Sequence, residues 1–233
     1  MAFQGFTQQT VDFMWGIRFN NERGWFLEHK EDYLNTFLAP TKELGEQVYD
    51  ALHAALPDEP LLLLKVSRIY RDARRLHGRG PYKDHLWWCI RTGDKDWTGR
   101  PTFWFELGPD YYSFGLGFWS PSAALMETYR KQIDQHPEEL ARLVRQFNRQ
   151  TVFTLDGPDY ARSKGQTSDL LRPWYQKKSL SLRWEGPLDD RIFSPALADD
   201  ITAGFQTLIP FYHYFNRIVA LTPTQERTGE ERV

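Results

Sequence analysis

The chain has a single cysteine, Cys89, among its 233 residues, which excludes internal disulfide bonds and fits a reducing compartment. Its first residues contain no basic segment followed by an apolar run, so we expect no secretion signal. No apolar stretch approaches the length of a membrane span, and we expect no membrane partner. The formal net charge of −2 argues against general binding of nucleic acid, which requires many basic contacts to phosphates. Together these features predict a soluble, cytoplasmic protein.

Motifs for the common cofactors and catalytic centres are also missing. The chain has neither a P-loop nor the G-x-G-x-x-G pattern of dinucleotide-binding folds, and it has no G-x-S-x-G turn for a nucleophilic serine. The stretch from Asp72 to His85 holds two acids and two histidines, but no H-x-x-x-H, C-x-x-C or related metal-binding spacing occurs. We therefore predict no cofactor and no dedicated metal site.

Aromatic residues are abundant, at 15% of the chain, and they include 9 tryptophans. Rings of this size fill a core or line a pocket where stacking is needed. The most unusual stretch is Val66–Arg91, which holds seven basic residues and two acids in a chain that is nearly neutral overall. A local excess of positive charge of this kind is typical of a site that attracts anions.

Hydrophobic periodicity predicts helices in the N-terminal, middle and C-terminal parts of the chain, with strands between them. Thr7 is a good cap for the first helix, and Pro40 is expected to stop or kink the second. Strands are predicted over residues 61–70, 85–91, 102–107, 111–119, 151–155 and 179–185. Because several connections are short, we predict an α+β fold in which an antiparallel β-sheet meander is flanked by these helices. Residues 1–221 are expected to form a single domain, and residues 222–233 a disordered tail.

A candidate ligand site lies within the basic stretch. Arginines at a strand end and in a glycine-containing loop can present their guanidinium groups to carboxylate or phosphate oxygens. The predicted ligand-binding residues are Arg68, Arg71, Asp72, Arg74, Tyr82, Lys83 and Trp87. In this hypothesis the basic side chains hold the anion, and Tyr82 and Trp87 form walls. Two alternatives stay open: a solvated loop paired with acids elsewhere, and a buried ion network of Asp72 and the arginines that only orders the loop.

One face of the predicted sheet is a second candidate site. It carries His85, Trp87, Cys89, Arg91, Trp104, Glu106 and Ser113. Aromatic walls with a few polar groups are typical of a ligand pocket, and Glu106 or His85 could act there as a catalytic acid or base. The alternative, which is favoured at this stage, is that helices cover this face and that Glu106 pairs with an arginine.

These sites lead to two hypotheses on function. The first is a pocket for a small anionic molecule; if the protein is an enzyme, a hydrolase or transferase acting on a phosphorylated or carboxylated substrate is expected. The second is an interaction module that binds a protein or nucleic-acid partner through the basic loop and exposed aromatic residues. The first predicts converging arginines in a concave site, and the second predicts a flat exposed patch. The sequence gives no basis for predicting the oligomeric state.

Four blocks of residues are spread along nearly the whole chain. They are N-N-x-x-x-W-F at residues 20–26, R-x-x-R-D-x-R at 68–74 with P-Y-K at 81–83, a glycine-rich block from Gly115 to Pro121 with Arg130 and Ile133, and Lys178-Ser179. Together they resemble a widespread microbial family of conserved hypothetical proteins, described as a domain of unknown function. The resemblance implies a soluble α+β protein and supplies no activity to carry over.

The segment between two of these blocks departs from the family pattern. Where the family tends to have F-S-x-D-K, this chain has R-L-H-G-R at residues 75–79, so the acid is lost and the lysine is replaced by arginine. Any catalytic or metal-binding role of that acid would be missing from this chain. The resemblance therefore focuses the ligand-site hypothesis on residues 68–74 and 81–83.

Overall fold

A computed structural model describes residues 2–59, 61–76, 78–93 and 96–223. Residues 224–233 of the predicted tail, and His77 of the basic stretch, lie outside the described residues. In this part of the chain, helices α1 to α8 span Gln8–Phe19, Arg23–Glu28, Lys30–Asp32, Ala39–Ala55, Ala123–Gln135, Pro137–Phe147, Arg172–Tyr175 and Ala196–Leu221. Within these described ranges, no helix is long and apolar enough to cross a membrane.

The N-terminal helices confirm one sequence prediction and overturn another. Helix α1 begins directly after Thr7, whose backbone N–H donates to Thr10 Oγ1 at 3.1 Å, so the predicted cap is correct. A π-helical turn, Tyr33–Leu38, joins α3 to α4 without a break. Pro40 lies in the first turn of α4, and the helix continues through it. Of the two effects predicted for Pro40, a stop or a kink, the stop is therefore wrong.

The strands form one antiparallel sheet. Strands β1 to β6 span Leu62–Val66, Leu86–Thr92, Pro101–Leu107, Tyr111–Phe118, Thr154–Asp156 and Ser181–Pro187. Their order across the sheet is β1-β2-β3-β4-β6-β5, and every neighbouring pair is antiparallel. The first four strands make the predicted meander, and the α+β fold with flanking helices is confirmed. The sheet then departs from chain order, because β6 lies between β4 and β5.

Helices α4 and α8 pack against one face of the sheet and build the core there. On this face the ring of Phe103 lies 4.9 Å from Phe205 and 5.2 Å from Tyr212, both on α8. Trp88 meets Phe205 edge to face at 6.2 Å, and all of these side chains are fully buried. Gly45 of α4 allows the helix to approach Trp88 closely. Burial of large side chains contributes roughly 1.5–3 kcal/mol each, so this face supplies much of the stability of the fold.

The opposite face of the sheet carries Trp87, Trp104 and Glu106, each only partly buried, around a cavity of about 300 Å³. The expectation that helices cover this face is therefore wrong. The physical reason is the alternation along the strands, which gives the face towards α8 the phenylalanines and gives the other face charged groups and glycines.

Candidate functional site

Residues 67–83 leave β1, turn, and return to β2; we call them the basic loop. Its two arms run side by side, because Arg71 N donates to Pro81 O and Lys83 N donates to Ile69 O, both at 2.8 Å. Backbone pairing of this kind fixes where each side chain begins, although the connection contains no strand of its own. The basic residues of the two arms are therefore held on one frame.

Asn21, which lies just before α2, anchors the basic loop to the core. Its Nδ2 donates to Tyr82 O, and its Oδ1 accepts from Tyr82 N, both at 2.9 Å. The Phe26 ring stacks on the Tyr82 ring at 4.3 Å, and Tyr82 is only 4% exposed. Gly80 permits this approach, since a Cβ there would lie 2.3 Å from Asn21 Oδ1. Tyr82 thus belongs to the core beneath the loop, and of the two tyrosines it is Tyr70 that lines the cavity described next.

A cavity of about 460 Å³, which we call the basic pocket, lies between the basic loop and the start of β2. Its charged lining residues are Arg68, Arg71, Asp72, Arg79 and Lys83, and its rings are those of Tyr70 and Trp87. Three of the predicted basic residues therefore reach one pocket. Arg79, in the segment that departs from the family pattern, joins them.

Basic residues outnumber acids in the lining of the basic pocket, which holds four cations and Asp72. Among the described residues, Arg68, Arg71 and Lys83 form no ion pair. The pKa of Lys83 is lowered to about 8, first by burial and then by the charges of the two arginines. The negative charge of Glu106 raises the pKa of Lys83, but it does not offset these effects. An anion in this pocket would relieve that repulsion, because it favours the charged form of the lysine.

Arg74 does not line the basic pocket. Asp72 caps the 3₁₀ turn Ala73–Arg75 by accepting a hydrogen bond from Arg74 N at 3.1 Å. The Arg74 guanidinium bonds back to the same carboxylate at 2.9 Å, and its side chain is 88% exposed. The turn therefore directs Arg74 into solvent, and this ion pair is not the buried network that one alternative expects.

The cavity on the open face of the sheet, which we call the aromatic pocket, has four tryptophan walls. Trp87 comes from β2, Trp104 from β3, Trp119 from the residue after β4, and Trp97 from a 3₁₀ turn before β3. Its polar lining residues are Thr102, Glu106, Ser113, Asp156, Ser181 and Arg183. Trp87 lines the basic pocket as well, so the two pockets are neighbours with a common wall.

Two glycines of β4 bring β6 close to the aromatic pocket. A Cβ on Gly115 would lie 2.1 Å from Leu182 O, and a Cβ on Gly117 would lie 2.5 Å from Leu180 O. Side chains at these positions would therefore push the two strands apart. With glycine at both, the strands pair and Arg183 lies directly opposite Gly115 in the register. This pairing places a charged side chain at the edge of the pocket.

The charged groups of the aromatic pocket are arranged in two sets. Glu106 accepts a hydrogen bond from the Tyr111 hydroxyl, and burial together with this bond raises the pKa of Tyr111, which stays a donor. Arg183 pairs with Glu185 and lies 3.6 Å from Asp156 Oδ2. Its Nε is buried without a hydrogen-bond partner among the described residues. The pocket is therefore lined by the Glu106 carboxylate and by an arginine that is already paired with acids.

The environments of His85 and Cys89 give little support to a catalytic role for either. His85 Nδ1 lies 2.9 Å from Asp84 Oδ1, and His85 lines neither pocket. The hydrogen bonds from His85 and Arg18 hold the pKa of Asp84 well below its usual range, against the effect of burial. Cys89 is 3% exposed, and burial raises its pKa to about 11, so the thiol stays protonated near neutral pH. In the described ranges, no three metal-ligating side chains come together.

Several residues of the aromatic pocket were not expected from the sequence, above all Trp97, Asp156 and Arg183. Arg183 alternates with Leu182 in a predicted strand, so its face could have been assigned, but its neighbour β4 could not. Trp97 and Asp156 lie at or next to irregular segments, where no periodicity indicates a direction. Glu106 and Trp87, in contrast, were expected on this face, and both line the pocket.

Comparison with known proteins gives one result on the family and none on a specific relative. A protein-family model described as conserved hypothetical protein (DUF2461) matches residues 9–214. The matched segment contains both pockets and all four blocks noted in the sequence. Among curated proteins, no match is found. The pockets themselves are therefore the basis on which a function can be argued.

Proposed function

The chain belongs to this family of conserved hypothetical proteins, whose description carries no activity, and we therefore propose a function from the site itself. The protein binds a small anionic ligand, bearing a phosphate or carboxylate group, in the basic pocket. The observation that carries this proposal is the convergence of Arg68, Arg71 and Lys83 on one cavity without an ion pair among the described residues. Guanidinium and ammonium groups in such a setting form strong, charge-assisted hydrogen bonds to anions.

The volume of the basic pocket is compatible with a small ligand. Arg68, Tyr70 and Arg79 are exposed, as an interaction module would also require, whereas Arg71, Lys83 and Trp87 are partly buried around a cavity of about 460 Å³. This volume lies within the range of roughly 300–1,000 Å³ that is usual for small-molecule sites. Chemistry on the bound molecule, a hydrolysis or a transfer, would fall to Glu106, which lines the adjoining pocket and interacts with Lys83.

Inorganic phosphate and sulfate are expected to raise the Tm of the protein, since a ligand that binds the native state stabilises it. Lys83→Met and Arg68→Ala each remove a charged hydrogen-bond donor worth roughly 1.5–3 kcal/mol, so each is expected to weaken binding about tenfold or more. The measurement is a thermal-shift titration at constant ionic strength, with chloride as the reference salt. Arg71→Ala is less informative, because Arg71 Nε also donates to Tyr82 O at 2.7 Å and supports the loop.

Arg149→Ala is the matched control for this titration. It also removes an arginine, but one that is exposed and lies outside the basic pocket. Arg74→Ala would not serve, because Arg74 pairs with Asp72, which lines the pocket. The control should keep the full anion-dependent shift. Equal shifts in the control, Lys83→Met and Arg68→Ala would contradict the proposal, because they would indicate a general salt effect.

Binding of sulfate is expected to weaken as pH rises through about 8, the pKa of Lys83. Below this pH the lysine carries its charge, and above it the ammonium group is lost; sulfate itself does not change charge in this range. The same shift makes the native state bind fewer protons than the unfolded state between about 8 and the ordinary lysine value of 10.5, so the contribution of Lys83 to stability rises with pH across that window. Isothermal titration between pH 7 and pH 9.5, an interval of roughly two and a half units around this pKa, measures the effect. Lys83→Met should remove the pH step, and an unchanged step in that variant would argue against this assignment.

A further inference from the structure

The walls of the aromatic pocket form a continuous apolar surface. The Trp119 ring lies 6.4 Å from Trp87 and 6.4 Å from Trp97, with tilts of 32° and 39°. A flat ring inserted between two others needs about 7 Å, twice the contact distance of carbon atoms. Trp119 therefore has no room for a ring between itself and either neighbour, and the three indoles form a wall against which a planar group can lie.

This wall is left partly uncovered by the chain. Trp119 is 72% exposed, although an indole of this size is usually well buried. Trp87, Trp97 and Trp104 are each only partly buried. Uncovered aromatic residues that are gathered in a cavity, and not scattered over the surface, are the usual mark of a binding site.

Polar groups share the lining of the aromatic pocket with the indoles. The Arg183 guanidinium lies 6.0 Å from the centroid of the Trp104 ring, and it pairs with Glu185. Glu106 provides a carboxylate that has accepted one hydrogen bond from Tyr111. Hydroxyl and carboxylate groups beside an apolar wall suit a flat ring that carries nitrogen and oxygen atoms at its rim.

The aromatic pocket and the basic pocket are adjacent. Trp87 lines both, and Lys83 Nζ lies 5.7 Å from the centroid of the Trp87 ring. Lys83 also interacts electrostatically with Glu106, which lines only the aromatic pocket. A single small molecule that fills both cavities must therefore carry its anionic group a short distance from its ring.

We propose that the aromatic pocket takes the base of a nucleotide whose phosphate occupies the basic pocket. The phosphate end of this ligand rests on the proposed function given above. A sugar phosphate fits the lining less well, since a sugar lacks the flat π face that a base offers to the four indoles. Stacking on aromatic side chains is a general means of binding bases, because every base has a π face.

The experiment compares adenosine monophosphate, uridine monophosphate, ribose phosphate and inorganic phosphate by isothermal titration on the full chain. The nucleotides are expected to bind at least roughly tenfold more tightly than ribose phosphate, which lacks the base. Trp119→Ala should abolish this difference while leaving the affinity for inorganic phosphate unchanged. Because Trp119 is largely exposed, the variant is expected to fold, and Trp119→Phe should restore much of the difference. Lys83→Met should weaken all four probes alike.

The possible failures can be told apart. Equal affinity for nucleotides and ribose phosphate would overturn the nucleotide proposal and leave anion binding intact. A tenfold preference that survives Trp119→Ala and Trp97→Ala would also overturn it, because the base would then lie elsewhere. If inorganic phosphate, ribose phosphate and the nucleotides all fail to bind, the proposed function falls together with the inference.

Discussion

Phe205→Ala is expected to lower the free energy of unfolding by about 3–5 kcal/mol, the usual cost of deleting a fully buried phenylalanine. The side chain is 0% exposed and lies at the centre of α8. Its ring contacts Phe103 at 4.9 Å, Trp88 at 6.2 Å and Phe114 at 6.0 Å, so it joins three strands to the helix. The alanine would leave a cavity that these rings cannot close. Urea denaturation followed by circular dichroism measures the change.

Phe19→Ala provides the reference for this measurement. Phe19 is 76% exposed at the end of α1, and its removal should change stability by no more than about 0.5 kcal/mol. A similar loss in both variants would mean that the packing of α8 on the sheet is not what stabilises the core. A small loss of stability in Phe205→Ala would mean the same, whatever the result for Phe19→Ala.

Asn21→Ala is expected to destabilise the protein by about 2 kcal/mol and to weaken sulfate binding as well. The substitution removes two hydrogen bonds to the backbone of Tyr82, each worth roughly 0.5–1.5 kcal/mol. It also removes the contact that holds the arm of the basic loop carrying Lys83 against the core. Hydrogen exchange at the Tyr82 amide should speed up, because its acceptor is lost. Denaturation, exchange and sulfate titration of the same variant test the three parts of this expectation.

The adjacent residue supplies the control. Asn20 is exposed, and its side chain donates only to Gly16 O, at 3.0 Å. Asn20→Ala should therefore cost no more than about 0.5–1 kcal/mol and leave exchange at Tyr82 unchanged. Unaltered exchange and sulfate affinity in Asn21→Ala would show that the basic loop holds its form without this anchor.

The central strands could be predicted because apolar residues recur at every second position. Apolar residues at every second position of β2 and β3 indicate one buried face, and this face does pack against α8. The bounds agree within a residue or two for β2, β3 and β4. The predicted strand over residues 61–70 was too long, since β1 ends at Val66 and the chain then turns into the basic loop.

The order of the last strands in the sheet could not be predicted. This order determines which residues line much of the aromatic pocket. Strand β6 follows β5 in the chain, yet it pairs with both β4 and β5. Local periodicity describes a strand but not its neighbours, so the position of Arg183 opposite Gly115 depends on long-range pairing. Which face of the sheet the helices cover could not be predicted either, because it depends on where α8 packs.

In the basic stretch, the charge could be predicted but not the direction of each side chain. Arg71 and Arg74 are three residues apart, and the sequence treats them alike. The 3₁₀ turn after Asp72 separates them, because the carboxylate caps the turn and draws the Arg74 guanidinium back onto itself. Aspartate is a preferred N-cap residue, so a turn that begins after Asp72 could have been expected, but the return of the Arg74 guanidinium to it could not.

The common wall of Trp87 has a consequence for how tightly a ligand could be held. A molecule that spans this ring places its second group beside the second cavity as soon as the first group is bound. That group is then present at an effective concentration in the millimolar range, so the second step no longer depends on the amount of ligand in solution. Two separate fragments, one for each cavity, would lack this advantage. Affinities measured on fragments would therefore underestimate that of the intact molecule.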